Sequence, residues 1–200
     1  MRPLLLLALL FAPSVAAAED DPGLPAAYLD AVVTYGIGGQ SALGGELHGT
    51  ASWTLGRGDV DGALDVGLRL GYENEPAWLA PWLDPRDVDA AAHRLRTHLT
   101  LGPTLRFGSA AREFSLGLHA YAGPTFWQSS ASVRLPAYDV EGAAQVSRLV
   151  LDLGALLRFT WRPDPAVGLA VVVGAPVWGL HSSYLVDLFH VGLGLAFRLR

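Results

Sequence analysis

The chain has 200 residues, a formal net charge of −5, 51% hydrophobic residues and no cysteine. A chain of this length fits one domain, and the missing cysteine excludes disulfides, thiolate catalysis and acylation at an N-terminal Cys. Every basic side chain is arginine, and a mildly acidic chain without a basic cluster argues against nucleic acid as a partner.

The hydrophobicity is spread evenly, with no uninterrupted apolar run of about 18 residues that would make a spanning helix. Residues 1–18 read as a cleaved signal peptide. Arg2 forms a short positive region, Leu4 to Ala12 the apolar core, and Ala16-Ala17-Ala18 an A-x-A site before Glu19. Residues 19–27 read as a flexible mature N-terminus, and residues 28–200 as one folded unit.

From Tyr28 onward the chain alternates with a period of two, because successive side chains of a strand leave on opposite faces. Strand one, to Gly38, sets Leu29, Ala31, Val33, Tyr35 and Ile37 against Asp30, Thr34 and glycines. Strand two, about Glu46 to Leu55, sets Leu47, Ala51, Trp53 and Leu55 against Glu46, His48, Thr50 and Ser52. After the tight Gly56-Arg57-Gly58-Asp59 turn, strand three sets Leu64, Val66, Leu68, Leu70 and Tyr72 against Asp65, Arg69 and Glu73. A long connection, 74–93, carries Trp78, Trp82 and three prolines. Within it, Asp84-Pro85 predicts a short helix through Ala92.

Strand four sets Leu95, Leu99, Leu101, Leu105 and Phe107 against Arg94, Arg96, His98, Thr100 and Arg106. Strand five sets Phe114, Leu116, Leu118 and Phe126 against Ser115, His119, Tyr121 and Thr125. A second long loop, 129–145, holds Leu135 and Tyr138. Strand six, Arg148 to Arg162, is the clearest: Leu149, Leu151, Leu153, Ala155, Leu157, Phe159 and Trp161 form one side, and Arg148, Asp152, Gly154 and Arg158 lie on the other. Strand seven carries Leu169, Val171, Val173 and Val177. Strand eight carries Phe189, Val191, Leu193, Leu195 and Phe197 against His190, Arg198 and Arg200.

Eight strands, each long enough to cross a bilayer at a tilt and with no helix between them, predict a closed antiparallel up-and-down transmembrane β-barrel. The first, third, fifth and seventh connections read as the longer ones, which places them outside and both termini in the periplasm. The rival is a soluble barrel with the apolar face turned inward. Two patterns oppose it: the polar faces are crowded with glycine, and the apolar-face aromatics cluster at two heights. Trp53, Phe107, Phe114, Phe159, Trp161 and Phe197 fall near one end. Tyr35, Tyr72, Phe126 and Phe189 fall near the other. An arginine facing lipid near the midplane costs roughly 2–4 kcal/mol, so the charged faces belong in the lumen. The register gives an upper layer of Glu46, Glu73, Arg94, Arg96, Arg148, Asp152 and His190. The lower layer is Asp30, Asp65, Arg106, Arg158, Arg162, Arg198 and Arg200. The lumen network thus comprises Glu46, Asp65, Arg69, Arg96, Asp152, Arg158 and Arg198, and an eight-stranded lumen is only wide enough to be filled by such side chains.

With the signal peptide, the eight alternating strands, the aromatic belts and the terminal Leu195-Ala196-Phe197-Arg198-Leu199-Arg200, the chain resembles the small outer-membrane barrels of the OmpA/OmpX type. The resemblance is architectural, and the chain departs from it by ending on Arg200, with its last aromatic at Phe197. It implies residence in a Gram-negative outer membrane among lipid and lipopolysaccharide. It also implies insertion by the barrel-assembly machinery and a structural or surface role carried by outer loops.

Three other readings touch chemistry. His181-Ser182-Ser183 resembles the His-x-Ser of outer-membrane lipid A deacylases, with Ser183 as nucleophile, His181 as base and Asp187 as the nearest acid. His48, His98, His119 and His190 share no local ligand spacing, so hydrogen-bonded interior histidines are expected rather than a metal site. No phosphate loop or cofactor motif is present, because the glycine runs are followed by no helix. Trp78, Trp82 and Tyr138, on connections 74–93 and 129–145, are candidates for contact with a surface partner. The leading expectation is a non-enzymatic barrel. A deacylase and a narrow gated pore stand as alternatives.

Overall fold

The computed structural model describes residues 24–38, 43–56, 58, 60–76, 88–109, 112–135, 140–179 and 187–199. Eight strands follow one another in chain order: β1 (Ala26–Gly38), β2 (Leu43–Gly56), β3 (Val60–Pro76), β4 (Val88–Ser109), β5 (Arg112–Leu135), β6 (Val140–Arg162), β7 (Val167–Gly179) and β8 (Asp187–Arg198). Each pairs antiparallel with the next, and β8 returns to β1 through pairs such as Leu29↔Phe197 and Val33↔Leu193. The result is a closed barrel. Closure leaves no sheet edge within the barrel wall, which a chain placed in hydrocarbon cannot tolerate. The architecture implied by the resemblance to OmpA/OmpX-type barrels is the one found.

Alternation sorts the two faces. Leu99, Leu118 and Leu193 stand outward at 67%, 57% and 61% exposure, while Asp30 and Arg69 are at 0% inside. The apolar outer band runs along β5 from Phe114 to Phe126. A run of about twelve residues at ~3.4 Å each, tilted by ~40°, covers roughly 30 Å of height, and that matches a hydrocarbon core of about 30 Å. The β4–β5 turn needs a left-handed residue, supplied by Gly108 at φ +100°.

The strands exceed this band on one side only. β4, β5 and β6 have 22, 24 and 23 residues, and their pairing continues through Ala91↔Ser130↔Gln145 to Leu135↔Val140. They form a three-stranded sheet that rises above the barrel. This corrects three sequence expectations. The connection 129–145 is largely strand, and residues 74–76 and 88–93 of the connection 74–93 are strand as well. The short helix expected to run through Ala92 is absent from residue 88 onward, where the chain pairs with β5 instead. Only 136–139 separate β5 from β6, so the fifth connection is not a long loop. β1 starts at Ala26, two residues before the expected strand start at Tyr28. On the other side, β7 pairs with β6 only up to Gly179↔Asp152. Among the described residues, no strand covers the outer edge of β6 above that point.

Candidate functional site

Inward-facing positions on all eight strands fill the barrel with two charge layers and one apolar wall. In the lower layer, Arg158 donates to both oxygens of Asp30: Nε reaches Oδ2, and Nη2 reaches Oδ1 at 2.7 Å. Both residues are buried. Asp65 collects Ser52, Thr104 (2.7 Å) and His119 (3.4 Å), with Arg158 Nη1 at 4.0 Å. Arg106 donates to Ser52. Arg162 pairs with Glu113 at 2.5 Å. Both of these guanidiniums face the Tyr28 ring, 5.2 Å (Arg106) and 4.2 Å (Arg162) from its centroid, a geometry in which a cation is attracted to a π face.

In the upper layer, Arg69 pairs with Glu46 at 2.6 Å, hydrogen-bonds with His190 and lies 5.3 Å from the Tyr121 ring centre. Arg96 pairs with Glu73 at 2.6 Å, and Arg94 stands 3.9 Å from the same carboxylate. Asp152 accepts from Thr125 and lies 3.7 Å from His98, whose ring stacks on Tyr121 at 4.9 Å. Arg158, Arg162, Arg69, Arg96 and Arg94 are thus each set against a carboxylate of their own layer, which is what makes a buried charge tolerable. The four inward histidines each meet a different partner: His48 meets Thr100 (2.8 Å), His98 meets Thr125 (3.1 Å), His119 meets Thr104 (3.2 Å) and His190 meets Arg69. Among the described residues, no group of three or more potential ligands is placed to hold a metal ion.

The opposite wall is apolar. Val32, Tyr121, Leu156, Ala170, Val172 and Ala196 pack together inside the barrel. With side chains as large as Arg69 and Leu156 fully buried, the lumen is occupied by side chains.

Of the residues named from sequence, Glu46, Asp65, Arg69, Arg96 and Arg158 are buried in this network, and Asp152 is partly exposed at its upper end. Arg198 lies half-buried on β8. Arg148 is a correction. It pairs opposite Trp127, above the level where β7 stops, and residues 141–149 are all exposed. It therefore stands on the protruding sheet and not in the closed lumen. Trp78, Trp82, Tyr138, His181 and Ser183 lie outside the described residues, as does the side chain of Asp187. Sequence reasoning passed over Tyr28, Ser52, Thr104 and Glu113 as site residues. Each shares the inward parity of a charged neighbour on its own strand, and that parity was the available signal.

No protein-family model matches the chain, and neither does any curated protein. Three solved structures share the barrel outline. Ail, the attachment invasion locus protein of Yersinia pestis, is 13% identical with a TM-score of 0.40, over 88% of this chain and 98% of that one. Neisserial surface protein A is 16% identical with a TM-score of 0.36, over 86% and 96%. The N-terminal β-barrel domain of Pseudomonas aeruginosa OprF is 16% identical with a TM-score of 0.32, over 88% and 98%.

Proposed function

We propose that this protein is a non-enzymatic outer-membrane barrel whose role is structural, or is exercised at the cell surface through the protruding β4–β5–β6 sheet. One observation carries the reading: the leucine-rich face is outside and exposed while the paired charges are inside. In water such a surface would be a very large apolar patch. In lipid it is the stable arrangement. The export signal read at residues 1–18 supports delivery across the inner membrane. The barrel-assembly machinery is the expected insertion partner, with the β8 segment ending near Phe197 as its recognition element.

The protruding sheet takes the place of the loops as the candidate surface for a partner. The test is fractionation with heat-modifiable migration: the protein sediments with outer membrane and runs faster unheated than boiled. Recovery in the soluble periplasmic fraction would refute the reading. The deacylase alternative rests on His181, Ser183 and Asp187, and unchanged lipid A acylation with Ser183→Ala removes it.

A further inference from the structure

The outward side chains change character abruptly at one register. Tyr72, Leu95, Phe126 and Leu149 lie side by side across β3 to β6 and form the top of the apolar band. Two residues farther out, the outward row is Asn74, His93, Gln128 and Ser147. His93 is tied down to the band, its Nδ1 at 2.8 Å from the Tyr72 hydroxyl and its ring stacked on the same tyrosine. Above this shelf, the row Ala91, Ser130 and Gln145 and the pair Ser132 and Ala143 floor a shallow depression of about 310 Å³. These five residues have the outward parity of the shelf, and the intervening Ala131 and Ala144 complete the lining.

Neither the shelf row nor the described lining of the depression holds a lysine, an arginine or a carboxylate, although the row of Ser132 and Ala143 continues to Asp89 on β4. The groups offered are three amides, three hydroxyls and one imidazole, all able to donate or accept. Phosphate recognition calls for guanidinium or ammonium groups. Uncharged polyhydroxyl ligands are met by amides and hydroxyls. The depression is at the low end of the size range of small-ligand sites, and it begins where the hydrocarbon ends.

Resting on the membrane reading above, we propose that this shelf and depression bind the uncharged sugars of a membrane glycolipid, seated beside the barrel at headgroup height. Asn74, Gln128, Ser130 and Gln145 supply the hydrogen bonds, and the ligand's phosphates are not contacted here. Continuity with the lipid-facing band fixes the source. A sugar whose acyl chains lie against Leu95, Phe126 and Leu149 is delivered to the shelf at high effective concentration.

The purified full chain is reconstituted in phospholipid vesicles containing no glycolipid, lipid A without core sugars, or lipopolysaccharide bearing its core oligosaccharide. The heat-unfolding midpoint is read from the gel shift. The expected result is a rise of about 2–4 °C with the core-bearing lipid only, unchanged when EDTA removes divalent cations. In the double variant Gln128→Leu/Gln145→Leu the rise disappears, while the midpoint in glycolipid-free vesicles stays at the wild-type value. An equal rise with lipid A, a rise abolished by EDTA, or a rise retained by the double variant overturns the proposal in favour of phosphate or acyl-chain contact. An equal rise from free core oligosaccharide at the same concentration overturns the membrane source. A protein that inserts and shows heat-modifiable migration but no sugar dependence refutes this inference alone. A protein that never inserts refutes the membrane reading beneath it.

Discussion

At the scale of single residues, the lumen is held by pairs that cannot be broken one side at a time. Asp30 and Arg158 are both buried and joined by two hydrogen bonds. Removing one partner leaves a buried, unpaired charge, which typically costs ~3–5 kcal/mol. Asp30→Ala is therefore expected to lower the unfolding free energy in bilayers by about that amount. Asp30→Leu combined with Arg158→Met recovers most of it, as urea titration will show. Glycines opposite rings make a second case. A Cβ on Gly174 would overlap the His190 ring, whereas one on Gly142 would meet nothing within 4 Å. Gly174→Ala is expected to cost ~1–3 kcal/mol through overpacking, and Gly142→Ala to be neutral within ~0.5 kcal/mol. Adding His190→Ala to Gly174→Ala costs less than the two single changes summed. The glycine crowding of the polar faces was visible in the sequence. Which ring each glycine receives was not, because that depends on strand register: Tyr121 falls opposite Gly154 and His190 opposite Gly174 only once the pairing is known.

At the scale of elements, each strand has a lipid segment with strict alternation, and β4 to β6 add a segment without it. Leu101 pairs with Ala120, halfway between Phe114 and Phe126 on β5, so Leu101→Arg places a cation near the midplane. The expected loss is ~2–4 kcal/mol. Ser132→Arg, on the protruding sheet, is expected to change stability by less than ~0.5 kcal/mol. Both are read by the same titration. Replacing 131–144 by an Asn-Gly turn, which removes matched lengths of β5 and β6 and leaves Ser130 opposite Gln145, is expected to keep insertion and heat-modifiable migration intact. This contrast explains what the sequence revealed. Hydrophobic alternation exists only where one face meets hydrocarbon and the other the lumen. Where both faces are wet, as at residues 141–147, alanines and serines carry no such period. The strands there are set by pairing with their neighbours, so the sequence alone reads as loop. Arg148 was misplaced for the same reason: its parity is inward, but β7 has already ended and there is no closed interior at its height.

At the scale of the whole molecule, strand number, closure and the choice of inner face were all legible, because placing Arg69 and Arg158 in lipid is energetically forbidding. The two charge layers followed from strand direction. The apolar wall of Leu156 and Val172 inside the barrel did not, since nothing in a strand's own pattern says which neighbours close around it. The account depends on hydrocarbon contacting the leucine face. The chain has no cysteine, so single cysteines carrying a spin label can be placed in reconstituted vesicles at Leu99, Leu101 and Leu118, with Ser132 as a control above the band. Collision with oxygen, which concentrates in hydrocarbon, is expected to peak at Leu101, with negligible collision with a water-soluble nickel complex, and the order is expected to reverse at Ser132. Leucine positions open to the nickel complex, or immobile and closed to both reagents, would contradict the account.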